Sequence, residues 1–188
     1  MTEQTVIQQI LNGNTGAFRQ IVEAYSDKLF AFIGRIVKQP MDAEEIAEDV
    51  LVKAYQHLAE YRNTQASFWT WLCSIAYNES LNHLRKAKPT LLYLDDDANT
   101  VLISEADNLL TEPDADPRID DLKQAIARLS TDDRTLIELY YYDDKPIKDI
   151  AYIVGQSESN VTVRLHRIRK ILYNDINKSL TNENARRI

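Results

Sequence analysis

The sequence predicts an all-α protein in which two small helical domains are joined by an acidic linker. Only 4 glycines and 5 prolines occur in 188 residues, so few positions interrupt a helix. Apolar residues recur at steps of three and four over most of the chain, which is the spacing of a helix with one buried face. The exception is residues 89–120, which carry 9 acidic residues and 1 basic residue. A chain of this length can hold two such domains.

The N-terminal domain, predicted over residues 1–88, opens with two helices. Apolar residues keep helical spacing from Phe18 to Ile36, and Pro40 then interrupts the pattern. The stretch DAEEIAEDVLVKAYQHL follows, with Asp42 as the candidate N-cap and acidic residues in the first turns. Helical spacing places Ile46, Val50, Tyr55 and Leu58 near one face of this second helix.

A third helix follows the polar, loop-like stretch YRNTQ. The sequence ASFWTWLCSIAYNESLNHLRK again has apolar residues on helical spacing and ends in cations. We predict that Trp71, Leu72 and Ile75 belong to the core. Trp69 lies on another side of this helix and is the better candidate for the surface, whereas Phe68 fits either role.

Residues 89–120 are predicted to be a linker. The two prolines of EPDADP and the clustered aspartates do not suit a packed element. Its formal charge is -8, compared with -1 for residues 1–88 and +2 for residues 121–188. The acidity of the chain, -7 overall, is therefore concentrated in the linker.

The C-terminal domain, residues 121–188, is predicted to contain a helix-turn-helix. Ser130 is a candidate N-cap with an acid three residues later. Pro146 suits the first turn of a short helix that Gly155 ends, and Ser157 suits the cap of the helix after it. A short helix, a tight turn with glycine and a second helix form that motif. Of the three tyrosines at 140–142, we expect at least one in the core.

The last helix, SNVTVRLHRIRK, is basic. In a helix-turn-helix the leading residues of the second helix meet base edges, and later cations meet phosphates. The alternative is a surface helix whose C-terminal cations only favour the helix dipole. The predicted contacts to duplex DNA are Lys148, Ser159, Asn160, Thr162, Val163, Arg164, His166, Arg167 and Lys170.

Two separate stretches resemble one family. LSTDDRTLIELYYYDDKPIKDIAYIVGQSESNVTVRLHRIRKIL is similar to region four of extracytoplasmic-function (ECF) sigma factors, and the two stretches that run from Asp42 to Lys86 are similar to their region two. The resemblance implies binding to core RNA polymerase, recognition of a minus-thirty-five duplex by residues 121–188, and melting of a minus-ten element by residues 1–88. It also implies an anti-sigma partner, no cofactor and no catalytic centre in this chain.

The resemblance assigns site residues to region two. A coiled-coil clamp on polymerase is expected to meet Asp42, Glu45, Glu48, Asp49 and Lys53, although acids in a first helical turn also serve the dipole. Melting needs aromatic faces for an unstacked base and cations for phosphates. The minus-ten candidates are Tyr61, Arg62, Phe68, Trp69, Asn78, Asn82, Arg85, Lys86 and Lys88.

This sequence departs from the family pattern at two places. The loop YRNTQASF is one residue longer than is usual, and Thr162 stands where the family commonly has Arg or Lys. The longer loop is expected to affect which base the minus-ten site prefers. The second removes one expected phosphate contact.

Other classes of function find little support in the sequence. The single cysteine, Cys73, is expected to pack in a helix, and the three histidines lack the spacing of a metal site. No apolar run spans a bilayer and no secretory signal is evident, so we expect a cytoplasmic, non-catalytic protein. The rival interpretation is a stand-alone helix-turn-helix regulator, which would not need the aromatic loop or the acidic helix of region two.

Overall fold

The computed structural model describes residues 2–87 and 117–186, and within that part every regular element is helical. This confirms the predicted all-α class. The α-helices are α1 (Glu3–Leu11), α2 (Phe18–Val37), α3 (Pro40–Gln56), α4 (Phe68–Ala87), α5 (Pro117–Ala127), α6 (Thr131–Ile137), α7 (Ile147–Val154) and α8 (Glu158–Arg186). Short 3-10 turns at Thr15–Ala17 and Leu58–Glu60 and a π-helical turn at Glu138–Tyr142 complete the set.

The helices form two compact units. The first contains α1 to α4 together with α7, and the second contains α5, α6 and α8. The two helices predicted to form the helix-turn-helix therefore belong to different units.

The core of the first unit lies where α2, α3 and α4 pack on one another. Leu29 and Ile33 of α2, Val50 of α3 and Leu72 of α4 are all fully buried. Their spacing follows the helical repeat, so each helix buries one continuous apolar stripe. Trp71 and Leu72 are core residues as predicted, whereas Ile75 is only partly buried. That prediction was wrong because Ile75 lies at the edge of the buried side of α4.

The junction between α2 and α3 differs from the sequence prediction. α2 ends at Val37, and Lys38 is its C-cap, with a left-handed backbone (φ 66°) and an N–H that donates to the carbonyl of Gly34. α3 then begins at Pro40, and its N-cap is Gln39. Pro40 thus opens a helix, where its missing N–H costs nothing. Asp42 is not the N-cap but a first-turn acid, still placed to interact with the helix dipole.

In the second unit α8 packs against α5 and α6. Ser130 caps α6 as predicted, since its Oγ accepts from the N–H of Asp133 at 3.2 Å. The tyrosines after α6 are more exposed than predicted: Tyr141 and Tyr142 are 54% and 71% exposed, and Tyr140 is half-buried. The wider π turn shifts the register, so that only Leu139 of that turn is buried.

α7 and the start of α8 match the predicted boundaries closely. Pro146 is the N-cap of α7, one position before the helix, and Gly155 ends it with φ 66°. α8 starts at Glu158, directly after Ser157. α5 begins at Pro117, within the last four residues assigned to the linker. The rest of that linker lies outside the described residues.

Candidate nucleic-acid interface

The loop before α4 is held by its own side chains. The Tyr61 hydroxyl donates to the carbonyl of Ala66 at 3.2 Å. Arg62 Nη1 donates to the carbonyls of Ala59 at 2.6 Å and Tyr61 at 2.9 Å. Ser67 Oγ accepts from the Thr70 N–H at 3.1 Å, which is the bond of an N-terminal cap. Arg62 is exposed, but its Nη1 is already hydrogen-bonded to backbone carbonyls of this loop.

An aromatic cluster joins this loop to α2 and α4. Phe68 is fully buried, and its ring centroid lies 5.4 Å from those of Tyr61 and Trp71 and 5.5 Å from that of Tyr25. These are favourable distances for aromatic pairs. Of the two roles open to Phe68, the core role is confirmed. The minus-ten assignment of Phe68 is corrected accordingly, because a buried ring has no face for a base.

Trp69 lies at the edge of this cluster and is half-buried. Its ring stacks on Tyr25, with centroids 5.7 Å apart and planes 8° from parallel. Sequence reasoning did not single out Tyr25 as the partner, since the two residues lie on different helices. Burial and a hydrogen bond from its hydroxyl to Glu3 raise the pKa of Tyr25. Burial also raises the pKa of Tyr61, with smaller effects from Glu3 and Tyr152.

The second half of α4 presents a polar side to solvent. Asn78, Asn82, Arg85 and Lys86 are exposed. Asn78 Nδ2 donates to the carbonyl of Ser74 at 2.9 Å, and Arg85 Nη1 reaches Asn82 Oδ1 at 3.5 Å. Asn78, Asn82 and Arg85 follow the helical repeat and lie on one face. Lys88, the remaining minus-ten candidate, lies outside the described residues.

α3 divides its five candidate residues between solvent and α4. Glu45, Glu48 and Asp49 are exposed and lie within one and a half turns of one another. Asp42 instead pairs with His83 (Oδ2 to Nε2, 3.1 Å), and Lys53 pairs with Glu79 (Nζ to Oε2, 2.5 Å). Three of the five candidates are therefore exposed carboxylates, and Glu44 of α3 is exposed beside them.

α8 has a sharply divided surface along its first half. Val161, Leu165, Ile168 and Leu172 form the buried stripe. The exposed predicted contacts are Ser159, Asn160, Thr162, Val163, His166, Arg167 and Lys170. Thr162 Oγ1 donates to the carbonyl of Glu158 at 2.8 Å, so its hydroxyl proton is already used within the helix. Lys148 is exposed on α7.

Arg164 differs from the other predicted contacts because it forms an ion pair inside the second unit. Its Nε and Nη2 donate to Oδ1 of Asp133 at 3.1 Å and 2.6 Å. The exposed fractions of the two side chains are 21% and 12%. Arg167 Nη2 lies 3.8 Å from the other oxygen of Asp133, but its side chain is 64% exposed. The pair joins α6 to α8, a role that the sequence spacing did not reveal.

Arg169 is a second cation with a structural contact. Its Nε donates to the Tyr141 hydroxyl at 2.7 Å, and its guanidinium lies 5.5 Å and 5.8 Å from the ring centroids of Tyr140 and Tyr141. Contacts of this kind are typical of exposed cation–π pairs. Some cations of α8 thus contact other side chains of the second unit, while others face solvent.

Neither a metal-binding cluster nor a membrane-spanning helix occurs among the residues that the structure describes. No group of three or more His, Cys, Asp or Glu side chains there is arranged to hold a metal ion. No helix of residues 2–87 or 117–186 has both the length and the apolar character needed to span a membrane. Cys73 is buried in α4.

Two family models match the chain. The one described as Sigma-70 region 2 matches residues 21–90, and the one described as Sigma-70, region 4 matches residues 119–172. The first range includes α3 and α4. The second includes α6, α7 and the divided part of α8.

Similar proteins cover nearly the whole chain. The ECF RNA polymerase sigma factor SigW of Bacillus subtilis is 31% identical over 175 residues, which are 88% of this chain and 92% of that relative. The RNA polymerase sigma-H factor of Pseudomonas aeruginosa is 29% identical over 90% of this chain and 91% of its own length.

Solved structures share the fold. CnrH in complex with the cytosolic domain of CnrY superposes with a TM-score of 0.63 at 19% identity, covering 94% of this chain and 97% of CnrH. The sigma factor RpoE of Bartonella quintana, solved with the anti-sigma factor NepR, gives 0.58 at 22% identity over 85% of this chain and 96% of its own. With regions 2 and 4 in order and a relative 31% identical over 88% of the chain, this protein belongs to the ECF group of the sigma-70 family of transcription initiation factors.

Proposed function

We propose that this chain binds core RNA polymerase and directs initiation from promoters that it selects by both their minus-ten and minus-thirty-five elements. The observation that carries the proposal is one chain with two polar, cation-bearing helical faces, on α4 and on α8, in the order of regions 2 and 4. Polymerase supplies the nucleotidyl-transfer chemistry. We assign no catalytic residue or cofactor to this chain.

For the minus-thirty-five duplex we propose the exposed side of α8. Ser159 and Asn160 at its start suit base edges, while Arg167 and Lys170 suit phosphates. Asp133 restrains Arg164, so we give it mainly the task of holding α6 on α8. The remaining proposed contacts are Lys148, Thr162, Val163 and His166.

For the minus-ten element we propose Tyr61, Trp69 and the polar side of α4. The two partly exposed rings offer faces for an unstacked base. Asn78 and Asn82 offer amide groups that can hydrogen-bond a base, and Arg85 and Lys86 offer cations for the strand. Arg62 and Lys88 complete the proposed set.

For the polymerase clamp we propose three exposed carboxylates of α3, namely Glu45, Glu48 and Asp49. An acidic helical face complements basic residues on a facing helix. Asp42 and Lys53 support this surface from its edges through their bonds to α4.

The functional domains that we propose are residues 1–88, the acidic linker 89–120 and residues 121–188. The net charge of the linker, -8, suits a polymerase channel that is lined with cations for nucleic acid. We further propose that the chain acts in the cytoplasm and is held inactive by an anti-sigma protein. Support for that partner comes from the RpoE structure, which was solved with its anti-sigma factor.

Transcription with purified Bacillus subtilis core polymerase on a promoter library tests the proposal. We expect transcripts from templates that share two short elements. The double variant Arg167→Ala/Lys170→Ala should weaken promoter binding and reduce its salt slope by about two, at about 0.9 per lost phosphate contact. Arg128→Ala, an exposed cation outside α8, is the matched control. Tight duplex binding without polymerase, together with no transcript, would instead support the stand-alone regulator.

The clamp surface has its own test. Reversing charge at Glu45 and Asp49 (E45K/D49K) should weaken binding to core polymerase at least tenfold at low salt, because it turns attraction into repulsion. Asp27→Lys, an exposed carboxylate on α2, controls for net charge. Equal losses of polymerase affinity in the two variants would contradict the proposal that α3 binds the clamp.

A further inference from the structure

The N-terminal helix α1 packs beside the loop that precedes α4. Val6, Ile7 and Ile10 form its buried stripe. The helix contacts α2 and the 3-10 turn Leu58–Glu60, and the loop begins directly after that turn. α1 lies outside residues 21–90, which the region 2 model matches. None of the promoter contacts proposed above lies on this helix.

Tyr25 of α2 connects α1 to the start of α4. Its hydroxyl donates a hydrogen bond to Oε2 of Glu3 in α1. Its ring centroid lies 5.5 Å from that of Phe68 and 5.7 Å from that of Trp69, which are the first two residues of α4. One side chain therefore contacts α1 through its hydroxyl and α4 through its ring.

The contacts continue from α4 into the loop. The rings of Phe68 and Tyr61 lie 5.4 Å apart and nearly perpendicular, at 89°. The Tyr61 hydroxyl donates to the carbonyl of Ala66, and the N–H of Gln65 donates to the carbonyl of Arg62 at 3.0 Å. These bonds close the loop around an exposed tip. A continuous path of contacts thus runs from α1 to the loop.

Glu3 lies near the hydroxyl groups of both tyrosines. Burial, followed by the hydrogen bond to Glu3, raises the pKa of Tyr25. Burial, followed by the charge of Glu3, raises the pKa of Tyr61. Side chains that are locked by packing and hydrogen bonds hold the groups that they support in fixed positions. A loop joined to this cluster therefore presents its polar groups in one arrangement.

We propose that Glu3 and Tyr25 are positioning residues for the minus-ten site, because together they hold the loop 61–66 in the arrangement that selects an unstacked base. The proposal rests on the proposed function, since it assumes that this loop meets the minus-ten strand. Cations of α4 bind the phosphates of that strand whatever its bases are. Loosening the loop should therefore lower the preference among bases more than the affinity for the strand.

The support of the loop is tested first, by amide hydrogen exchange in the free, full-length chain. Tyr25→Phe removes the hydroxyl and keeps the ring, and Glu3→Ala removes the acceptor. In each variant we expect the amides of Gln65 and Ala66 to exchange about threefold to tenfold faster, because one hydrogen bond is lost. The double variant should add little, as expected for partners in one bond.

Matched controls come from the same unit. Glu23→Ala alters an exposed carboxylate of α2, and Tyr55→Phe removes another tyrosine hydroxyl. Neither control should change exchange in the loop. Loop amides that exchange as slowly in Tyr25→Phe as in the wild type would overturn the proposal. This readout needs neither polymerase nor a promoter.

Base preference is then measured with holoenzyme made from Bacillus subtilis core polymerase. The probes are fluorescein-labelled single strands that carry the minus-ten element of a promoter selected from the library, with each base in turn at each position. We expect Tyr25→Phe to reduce the affinity ratio between the best and the worst base about threefold at one position, since a smaller fraction of loops is in the selecting arrangement. The salt slope should not change, because the phosphate contacts remain.

The ratio separates positioning from ordinary destabilisation. A smaller folded fraction lowers the affinity for every probe by the same factor and leaves the ratio unchanged. A Tyr25→Phe holoenzyme that keeps the wild-type ratio at every position would overturn the proposal. A wild-type holoenzyme that binds none of the probes would instead refute the proposed function, and the exchange measurement would still decide whether Glu3 and Tyr25 hold the loop.

Discussion

The ion pair between Asp133 and Arg164 gives the sharpest test of how the second unit is held together. We consider Asp133→Asn, which keeps the size of the side chain and removes its charge. Both partners are mostly buried, at 12% and 21% exposure, and two donors of Arg164 meet one carboxylate oxygen. The variant leaves a largely desolvated guanidinium without its counter-charge.

The expected loss of unfolding free energy follows from this geometry. Breaking a buried ion pair by removing one partner costs about 3–5 kcal/mol. Asn keeps one oxygen that can accept from Arg164, and the pair is not wholly buried, so we expect about 2 kcal/mol. For a unit of this size each kcal/mol lowers Tm by roughly 4–8 °C, which gives a decrease of about 10 °C.

The assay is thermal unfolding of the full chain, followed by circular dichroism. Asp144→Asn is the matched control, since it makes the same chemical change at an exposed position with φ 47°, a conformation that asparagine tolerates. It should change stability by less than about 0.5 kcal/mol. Equal effects of the two variants would refute the reasoning and return Arg164 to the DNA-facing set.

Three further predictions concern glycine, the aromatic cluster and pH. Gly155→Ala should lower the free energy of unfolding by about 1 kcal/mol because φ at this position is 66°, whereas Gly34→Ala inside α2 should raise it by up to about 1 kcal/mol. Urea unfolding that shifted the stability of both variants in the same direction would contradict this. Phe68→Ala should cost about 3–5 kcal/mol of unfolding free energy through its cavity, and a loss below about 1 kcal/mol would mean that the ring is not core. Folding raises the pKa of Tyr25 and Tyr61, so their contribution to stability is complete below about pH 10 and is lost as the pH rises above that value. In urea titrations at alkaline pH, Tyr25→Phe should therefore reduce the loss of unfolding free energy per pH unit. An unchanged dependence on pH would argue against the burial of the Tyr25 hydroxyl.

Much of the fold could be predicted from local signals in the sequence. The apolar spacing of α2 and α4, the Ser130 cap and the glycine at 155 each depend on a few neighbouring residues. Where a local signal had two meanings, prediction failed. Pro40 both ends one helix pattern and opens the next, and only the left-handed Lys38 before it decides between them.

The functional residues likewise divide into those that local spacing predicts and those that depend on contacts between distant residues. The exposed side of α8 follows from its periodicity, because Val161, Leu165 and Ile168 fix which side is buried. The partner of Arg164 could not be predicted, since it lies 31 residues away on another helix. The same holds for the stacking of Trp69 on Tyr25 and for Asp149 on Thr70, 79 residues apart.

The sequence by itself thus determined the helices, their buried sides and the family, because these depend on spacing and composition along the chain. Only the tertiary structure decided which cations are engaged in ion pairs, whether Phe68 is core or surface, and that α7 covers α4. Those outcomes depend on which helices meet, and contacts between residues far apart in the chain leave no periodic signal in a single sequence.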